Sequence, residues 1–129
     1  KDPNMPKIKI FEYSGCSTCK KALAFLRAQK IDFQQIPIVD HPPSRAELKQ
    51  MLDHVGDIKK LFNTSGQVYR EMKLGEKLPK LSTQEAIELL SKNGKLIKRP
   101  FLLTDSVGLV GFKEEEWKKL FFDGQLKPH

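Results

Sequence analysis

Cys16 and Cys19 are the only cysteines of the chain, and they lie three positions apart. This spacing brings two thiols to one side of a helical turn, where one can attack the other and form a disulfide. The alternation of polar and apolar residues over 8–11 predicts a strand before them, and the apolar spacing that begins at Ala22 predicts a helix after them. We therefore expect Cys16 where a loop turns into a helix.

The start of a helix stabilises a negatively charged side chain, because its first backbone N–H groups have no intrahelical partner. The pKa of a cysteine placed there can fall from near 8.5 to roughly 3.5–7.5. The lysines at 20–21 add positive charge nearby. The sequence therefore predicts a nucleophilic Cys16 thiolate, with Cys19 resolving its adducts. Ser17 and Thr18 are expected to cap the helix and to present backbone N–H groups to the sulfur; capping alone is the simpler alternative.

Two other roles for the cysteines were weighed. Buried structural cysteines usually lie on an apolar stripe, whereas these two are surrounded by Gly, Ser, Thr and Lys. A zinc site needs two further ligands, and His41, His54 and His129 show no paired ligand spacing. We therefore expect a redox-active CxxC pair and no bound metal.

Length and composition indicate a single domain over residues 7–122, with 39% hydrophobic residues to build a modest core. Residues 1–4 precede Met5 and are expected to be left over from recombinant expression. The apolar runs are too short for a membrane span, and no secretory leader is expected. A lone cysteine pair is typical of a reducing compartment, so the expected location is the cytoplasm.

The chain carries a formal net charge of +7, which raises the question of nucleic-acid binding. Its lysines are scattered through every segment and do not form a stripe with aromatic residues. Direct nucleic-acid binding is therefore not expected. The basic surface is equally suited to an anionic substrate or an acidic protein partner.

The remaining pattern predicts an α/β fold. The segment 33–39 is predicted to be a second strand. It should run parallel to the first strand, because a helix connects them, and Pro37 should place it at a sheet edge. Residues 44–94 are predicted to be helical. The closing part is a hairpin of strands 101–104 and 109–112 and a last helix that carries Trp117. This order predicts a thioredoxin-like mixed sheet with flanking helices and a helical insertion between the second and third strands.

Two helices of the insertion have clear start signals. Ser44 with Glu47 and Ser82 with Glu85 each form the pattern of a capping box. Gly56 is expected to end the first of these helices. The turn of the hairpin is predicted at 105–108.

Several segments resemble the ArsC/Spx family, which contains glutaredoxin-coupled arsenate reductases, the redox-sensing transcriptional regulator Spx and many uncharacterised relatives. The resemblance runs from about Ile8 to Leu120 and is strongest to uncharacterised CxxC-containing relatives of the arsenate reductases. The segments that carry it are the cysteine turn, 42–48, 61–70, 98–100 and 111–117.

The resemblance implies roles for particular residues. The family nucleophile corresponds to Cys16, and a family arginine that holds the oxyanion corresponds to Arg99. Pro100 then corresponds to the cis-proline beside the active cysteine. An arginine fork next to a thiolate can grip a tetrahedral oxyanion through two parallel hydrogen bonds. The expected substrate-binding set is therefore Ser17, Thr18, Arg99 and Pro100.

The chain also departs from the arsenate reductases of the family. Those enzymes have further arginines at the positions of Asn63 and of Phe112 and Lys113. By the pattern of the arsenate reductases, the oxyanion pocket of this chain is therefore incomplete. Arg70 and Lys113 are candidates for supplying the missing positive charge. The alternative is that both are simply solvated side chains at the surface. Cys19 is usually absent from the arsenate reductases and present in Spx.

Three functional hypotheses follow from the resemblance. The first is a thiol–disulfide oxidoreductase similar to arsenate reductase or glutaredoxin, reduced by glutathione, glutaredoxin or thioredoxin and holding no bound cofactor. The second is an Spx-like regulator that binds the RNA polymerase α-subunit. The third is a protein whose CxxC pair no longer cycles. A monomer is expected in each case.

Overall fold

A computed structural model describes residues 7–122 and places four strands in one mixed sheet. The strands are β1 (Lys9–Glu12), β2 (Gln34–Pro37), β3 (Phe101–Leu103) and β4 (Gly108–Val110). The α-helices are α1 (Ser17–Ala28), α2 (Arg45–Val55), α3 (Gln67–Glu71), α4 (Leu74–Lys77), α5 (Thr83–Lys92) and α6 (Glu114–Phe122). Short 3₁₀ turns occupy Ile58–Leu61, Leu78–Lys80 and Gly94–Leu96. The remnant predicted at residues 1–4 lies outside the described residues.

The strand order is β2-β1-β3-β4, with β2 at an edge. β1 pairs with β2 in parallel and with β3 antiparallel, and β3 pairs with β4 antiparallel. Ile10 is therefore opposite Gln35 on one side and Leu102 on the other. The predicted parallel crossover, edge position and hairpin are all confirmed.

Alternate side chains of the sheet face two separate apolar cores. Ile10 and Leu102 pack with α1 and α6 in a core that includes Leu26 and Trp117. Phe11 and its neighbours face the helical insertion between β2 and β3. The alternation along β1 thus gives each helical layer its own apolar face.

The two predicted capping boxes are present. The Ser44 hydroxyl accepts a hydrogen bond from the Glu47 N–H, and the Glu47 carboxylate accepts one from the Ser44 N–H. Ser82 and Glu85 repeat this arrangement at α5. Gly56 ends α2 with a φ of 80°, a conformation that glycine adopts without steric cost.

The predicted strand boundaries differ from the structure, most clearly at the second strand and at the hairpin. The second strand, predicted over 33–39, is limited to Gln34–Pro37. The hairpin turn begins earlier than predicted, because the Thr104 hydroxyl accepts hydrogen bonds from the N–H groups of Ser106 and Val107. Gly108, predicted in the turn, is consequently the first residue of β4.

Candidate active site

Cys16 lies where the loop after β1 becomes α1, as the sequence predicts. It occupies the N-cap position with an extended backbone, and its Sγ accepts a hydrogen bond from the Cys19 N–H at 3.2 Å. Its own N–H donates to the Tyr13 carbonyl oxygen at 3.0 Å. The sulfur therefore accepts from an N–H group of the first helical turn that has no partner within the helix. This arrangement can stabilise negative charge on the sulfur.

The capping role predicted for Ser17 and Thr18 is wrong, because Cys16 itself caps α1 through its sulfur. Ser17 and Thr18 are the first two helical residues, so their backbone N–H groups lie at the open end of α1. Their predicted contact with substrate stays a prediction.

The two cysteines differ sharply in exposure. Both are free thiols; Cys16 is partly exposed, whereas Cys19 is 0% exposed. Burial, together with the interaction with Cys16, raises the pKa of Cys19 from 9.0 to about 12, while a hydrogen bond with the Tyr13 backbone and the charge of Arg99 oppose this rise. Cys19 therefore holds its proton at neutral pH.

Arg99 lies two residues before β3, and its peptide bond to Pro100 is cis, as the family resemblance implies. The guanidinium carbon lies 4.8 Å from the centroid of the Tyr13 ring. Nη1 donates to the Lys95 carbonyl oxygen at 3.3 Å, and Nε is buried without a hydrogen-bond partner among residues 7–122. The guanidinium of Arg99 is therefore only partly satisfied by the protein. Its positive charge is close enough to Cys19 to oppose the rise in the pKa of that thiol.

Tyr13 belongs to the site but was missed in the sequence. Its ring contacts Arg99, and its carbonyl oxygen fixes the Cys16 backbone. A Cβ at Gly15 would come within 3.1 Å of the Tyr13 Cε2 atom, so the ring packs close to the backbone of the cysteine loop. An aromatic residue between the first strand and the cysteine turn was the available indication.

Asn63 lies in a segment that pairs with the residues leading into Arg99. Asn63 N–H donates to the Leu96 carbonyl oxygen at 2.7 Å, and the Lys98 N–H donates to the Leu61 carbonyl oxygen at 2.8 Å. These contacts pair the segment at 61–63 with the segment that leads into Arg99. Asn63 is therefore opposite Leu96, three residues before Arg99.

Phe112 lies among aromatic rings, and the two candidates for substitute charge, Lys113 and Arg70, lie at the surface. Phe112 packs on Phe25 and Trp117, with ring centroids 5.9 and 5.0 Å apart. Lys113 and Arg70 are exposed, as expected for solvated side chains.

His41 and His54 are exposed as well, and no cluster of three or more His, Cys, Asp or Glu that could hold a metal ion occurs within residues 7–122. Over the same residues, no helix combines the length and the apolar character needed to cross a membrane.

Comparison with known proteins agrees with this geometry. The ArsC family model matches residues 11–120. The uncharacterized protein YusI of Bacillus subtilis is 42% identical over 113 residues, which cover 87% of this chain and 96% of YusI. The global transcriptional regulator Spx of Streptococcus pyogenes is 31% identical over 110 residues, which cover 84% of this chain and 81% of Spx.

A solved structure gives the same result. A Bacteroides fragilis protein described as ArsC family related superposes with a TM-score of 0.85 at 47% identity, and the match covers 91% of this chain and 99% of that protein. The predicted thioredoxin-like sheet with its helical insertion is therefore confirmed. The sequence match along nearly the whole chain and the shared architecture lead to one conclusion: this chain belongs to the ArsC family.

Proposed function

We propose that this protein is a thiol–disulfide oxidoreductase of the arsenate reductase-like type, in which Cys16 attacks the substrate and Cys19 resolves the adduct. The observation that carries the proposal is the asymmetry of the cysteine pair. Cys16 is partly exposed and accepts a backbone N–H, whereas Cys19 is fully buried and its pKa is raised to about 12. The two thiols are suited to successive steps.

The first step belongs to Cys16. A thiolate is the attacking species in thiol–disulfide exchange, and access decides which thiol reacts. Attack on a disulfide forms a bond from the Cys16 sulfur to one substrate sulfur and releases the other as a thiolate. Attack on arsenate instead forms a sulfur–arsenic bond, and an arsenate oxygen leaves as water after protonation.

The second step belongs to Cys19. Its proton is lost, and its sulfur attacks the Cys16 sulfur, so that a disulfide forms and the substrate leaves with two electrons. An arsenic(V) centre would leave as arsenic(III), and a mixed disulfide would leave as the thiol. Glutathione, glutaredoxin or thioredoxin then supplies two electrons and two protons to restore both thiols. These steps use an external thiol reductant and no bound cofactor.

Arg99 is the group best suited to bind the substrate. Its Nε is buried and lacks a partner among residues 7–122, and leaving such a donor unsatisfied is costly. A substrate oxyanion or carboxylate could accept from the terminal N–H groups of the guanidinium in a bidentate arrangement. Pro100, Ser17 and Thr18 complete the proposed substrate-binding set around the cysteines.

A turnover assay tests this proposal. Purified protein would be offered arsenate and, separately, a glutathione mixed disulfide, each with glutathione and glutaredoxin or with thioredoxin and its reductase. We expect reduction of at least one substrate and its loss in Cys16→Ser, while the exposed Ser65→Ala variant serves as the matched control. If neither substrate is reduced with any donor, the enzymatic proposal is overturned.

A second candidate is a regulator that resembles Spx and binds the RNA polymerase α-subunit. The 31% identity to Spx and the shared CxxC pair favour it. Retention of the protein on the immobilised C-terminal domain of the α-subunit, stronger after oxidation and lost in Cys16→Ser, would support this role. Turnover without retention would support the enzyme. Either role is proposed for the cytoplasm, where thiols are kept reduced.

A further inference from the structure

Tyr13 contacts both the cysteine loop, through its carbonyl oxygen, and Arg99, through its ring. Its carbonyl oxygen accepts from the Cys16 N–H at 3.0 Å, and its ring centroid lies 4.8 Å from the Arg99 guanidinium carbon. The two groups that it joins come from distant parts of the sequence, one after β1 and the other before β3.

We propose that Tyr13 is a positioning residue that holds the Arg99 guanidinium beside Cys16, so that an anionic substrate meets the charge and the nucleophile as one unit. This inference rests on the proposed function, in which Arg99 receives the substrate anion. Tyr13 itself takes no part in bond making.

The other attachments of Arg99 are weak. The guanidinium has one hydrogen bond to the protein among the described residues, from Nη1 to the Lys95 carbonyl oxygen, and its length of 3.3 Å exceeds the usual range. An arginine side chain has several rotatable bonds and loses considerable entropy when it is fixed in one place. Contact with an aromatic face is therefore the main interaction that can hold it.

This mode of attachment leaves the guanidinium able to bind. A cation over a ring is held through the face of the guanidinium, whereas its N–H groups donate in the plane. The ring therefore fixes Arg99 without using the donors that an oxyanion or carboxylate needs. The buried and unpartnered Nε agrees with this division of roles.

Gly15 limits where the Tyr13 ring can lie. A Cβ at this position would be 3.1 Å from Tyr13 Cε2, which is tighter than about nine in ten real Cβ contacts. A side chain at residue 15 would therefore push the ring, and with it Arg99. The ring would have to shift by a few tenths of an ångström to admit a side chain at residue 15.

The test uses two alkylating reagents and needs no turnover, so it is separable from the turnover assay. In a Cys19→Ser background, the rate of Cys16 alkylation would be measured with anionic iodoacetate and with neutral iodoacetamide. The ratio of the two rates reports positive charge beside the sulfur. Compared with Cys19→Ser alone, adding Arg99→Leu is expected to lower this ratio about fivefold, and adding Tyr13→Leu by a similar factor.

Further variants separate positioning from a general structural effect. Tyr13→Phe keeps the ring and is expected to hold the ratio within about twofold of the parent. Tyr13→Leu combined with Arg99→Leu is expected to give the ratio of Arg99→Leu alone, because both changes remove one interaction. Tyr13→Met replaces Tyr13→Leu if the latter does not fold by circular dichroism.

Three results would overturn the proposal. One is an unchanged ratio in a folded Tyr13→Leu or Tyr13→Met variant. Another is a fall in the ratio for Tyr13→Leu that persists in full when Arg99→Leu is already present. The last is an unchanged ratio in Arg99→Leu, which would show that its charge does not act on Cys16. Loss of turnover with the expected ratios would overturn the proposed function and leave the positioning role supported.

Discussion

The backbone N–H of Cys19 donates to the Cys16 sulfur across 3.2 Å, so the main chain of one cysteine holds the sulfur of the other at the start of α1. The same helical turn leaves Cys16 partly exposed and encloses Cys19 completely. One local arrangement therefore brings the two residues close together and gives their sulfurs different access to solvent.

The order of attack predicts different products for the two cysteine variants. Incubated with glutathione disulfide, Cys19→Ser should stop at the mixed disulfide on Cys16, whereas Cys16→Ser should form no adduct. Turnover should fall by about a hundredfold or more in Cys16→Ser. Intact-mass spectrometry measures the adduct, with Ser65→Ala as the control. An adduct on Cys19 in the Cys16→Ser variant would contradict this order.

Substitution of Arg99 should weaken substrate binding more than chemistry. Arg99→Lys keeps the charge and loses the planar fork, so we expect KM for an anionic substrate to rise about tenfold. Arg99→Gln removes the charge and should raise it further. Steady-state kinetics would measure both, with the exposed Arg70→Lys as a matched control. Equal KM values for wild type and Arg99→Gln would remove Arg99 from the substrate site.

The buried Cys19 thiol should make the protein less stable at alkaline pH. Because burial raises its pKa from 9.0 to about 12, the folded protein keeps a proton that the unfolded chain releases at lower pH. The stabilisation is complete below pH 9 and is lost as pH rises toward 12. The free energy of unfolding should therefore fall by about 1 kcal/mol from this group between pH 8 and pH 10.

Urea unfolding of wild type and Cys19→Ala at these two pH values isolates the effect of Cys19. Groups that titrate in both proteins cancel in the comparison, so the variant should show the smaller fall. Identical pH dependence in the two proteins would show that Cys19 is not held protonated by the fold.

Replacement by alanine should have opposite effects on stability at two glycines. A Cβ at Gly94 would overlap the Ile38 carbonyl oxygen, whereas a Cβ at Gly75 in α4 would meet nothing within 4 Å. Gly94→Ala should lower the free energy of unfolding by about 2–4 kcal/mol, because the backbone must move to make room for the methyl group. Gly75→Ala should be neutral or stabilising by up to about 1 kcal/mol. Urea unfolding measures both, and similar values for the two variants would contradict the close approach at Gly94.

The capping box of α2 should contribute measurably to stability. Ser44→Ala removes the acceptor for the Glu47 N–H and should lower the free energy of unfolding by about 1 kcal/mol. Ser65→Ala, exposed in a turn of the insertion, is the matched control and should change it by less than about 0.5 kcal/mol. Equal effects of the two substitutions would show that the cap is not stabilising.

The element order and the helix ends could be predicted because they depend on short stretches of chain. Both capping boxes and the place of Cys16 at the start of α1 involve hydrogen bonds that span three residues. The parallel pairing of β1 with β2 follows from the helix between them. Such features are encoded wherever the required residue types occur at the required spacing.

Local pattern was insufficient where two local options compete. Ser17 and Thr18 are common cap residues, yet the sulfur of Cys16 takes that position. The hairpin turn was predicted at 105–108, but the hydroxyl of Thr104 closes it earlier. In each case a single side chain with a suitable acceptor decided the boundary.

The sequence by itself determined the thiol pair, its loop-to-helix setting and the family resemblance that singled out Arg99. Only the tertiary structure decided that Cys19 is fully enclosed and that Tyr13 lies between the cysteine loop and Arg99. Burial and contacts between distant segments depend on how layers pack around the sheet. Residue spacing records helical turns and strand alternation, but it does not record which side chains meet when those layers close.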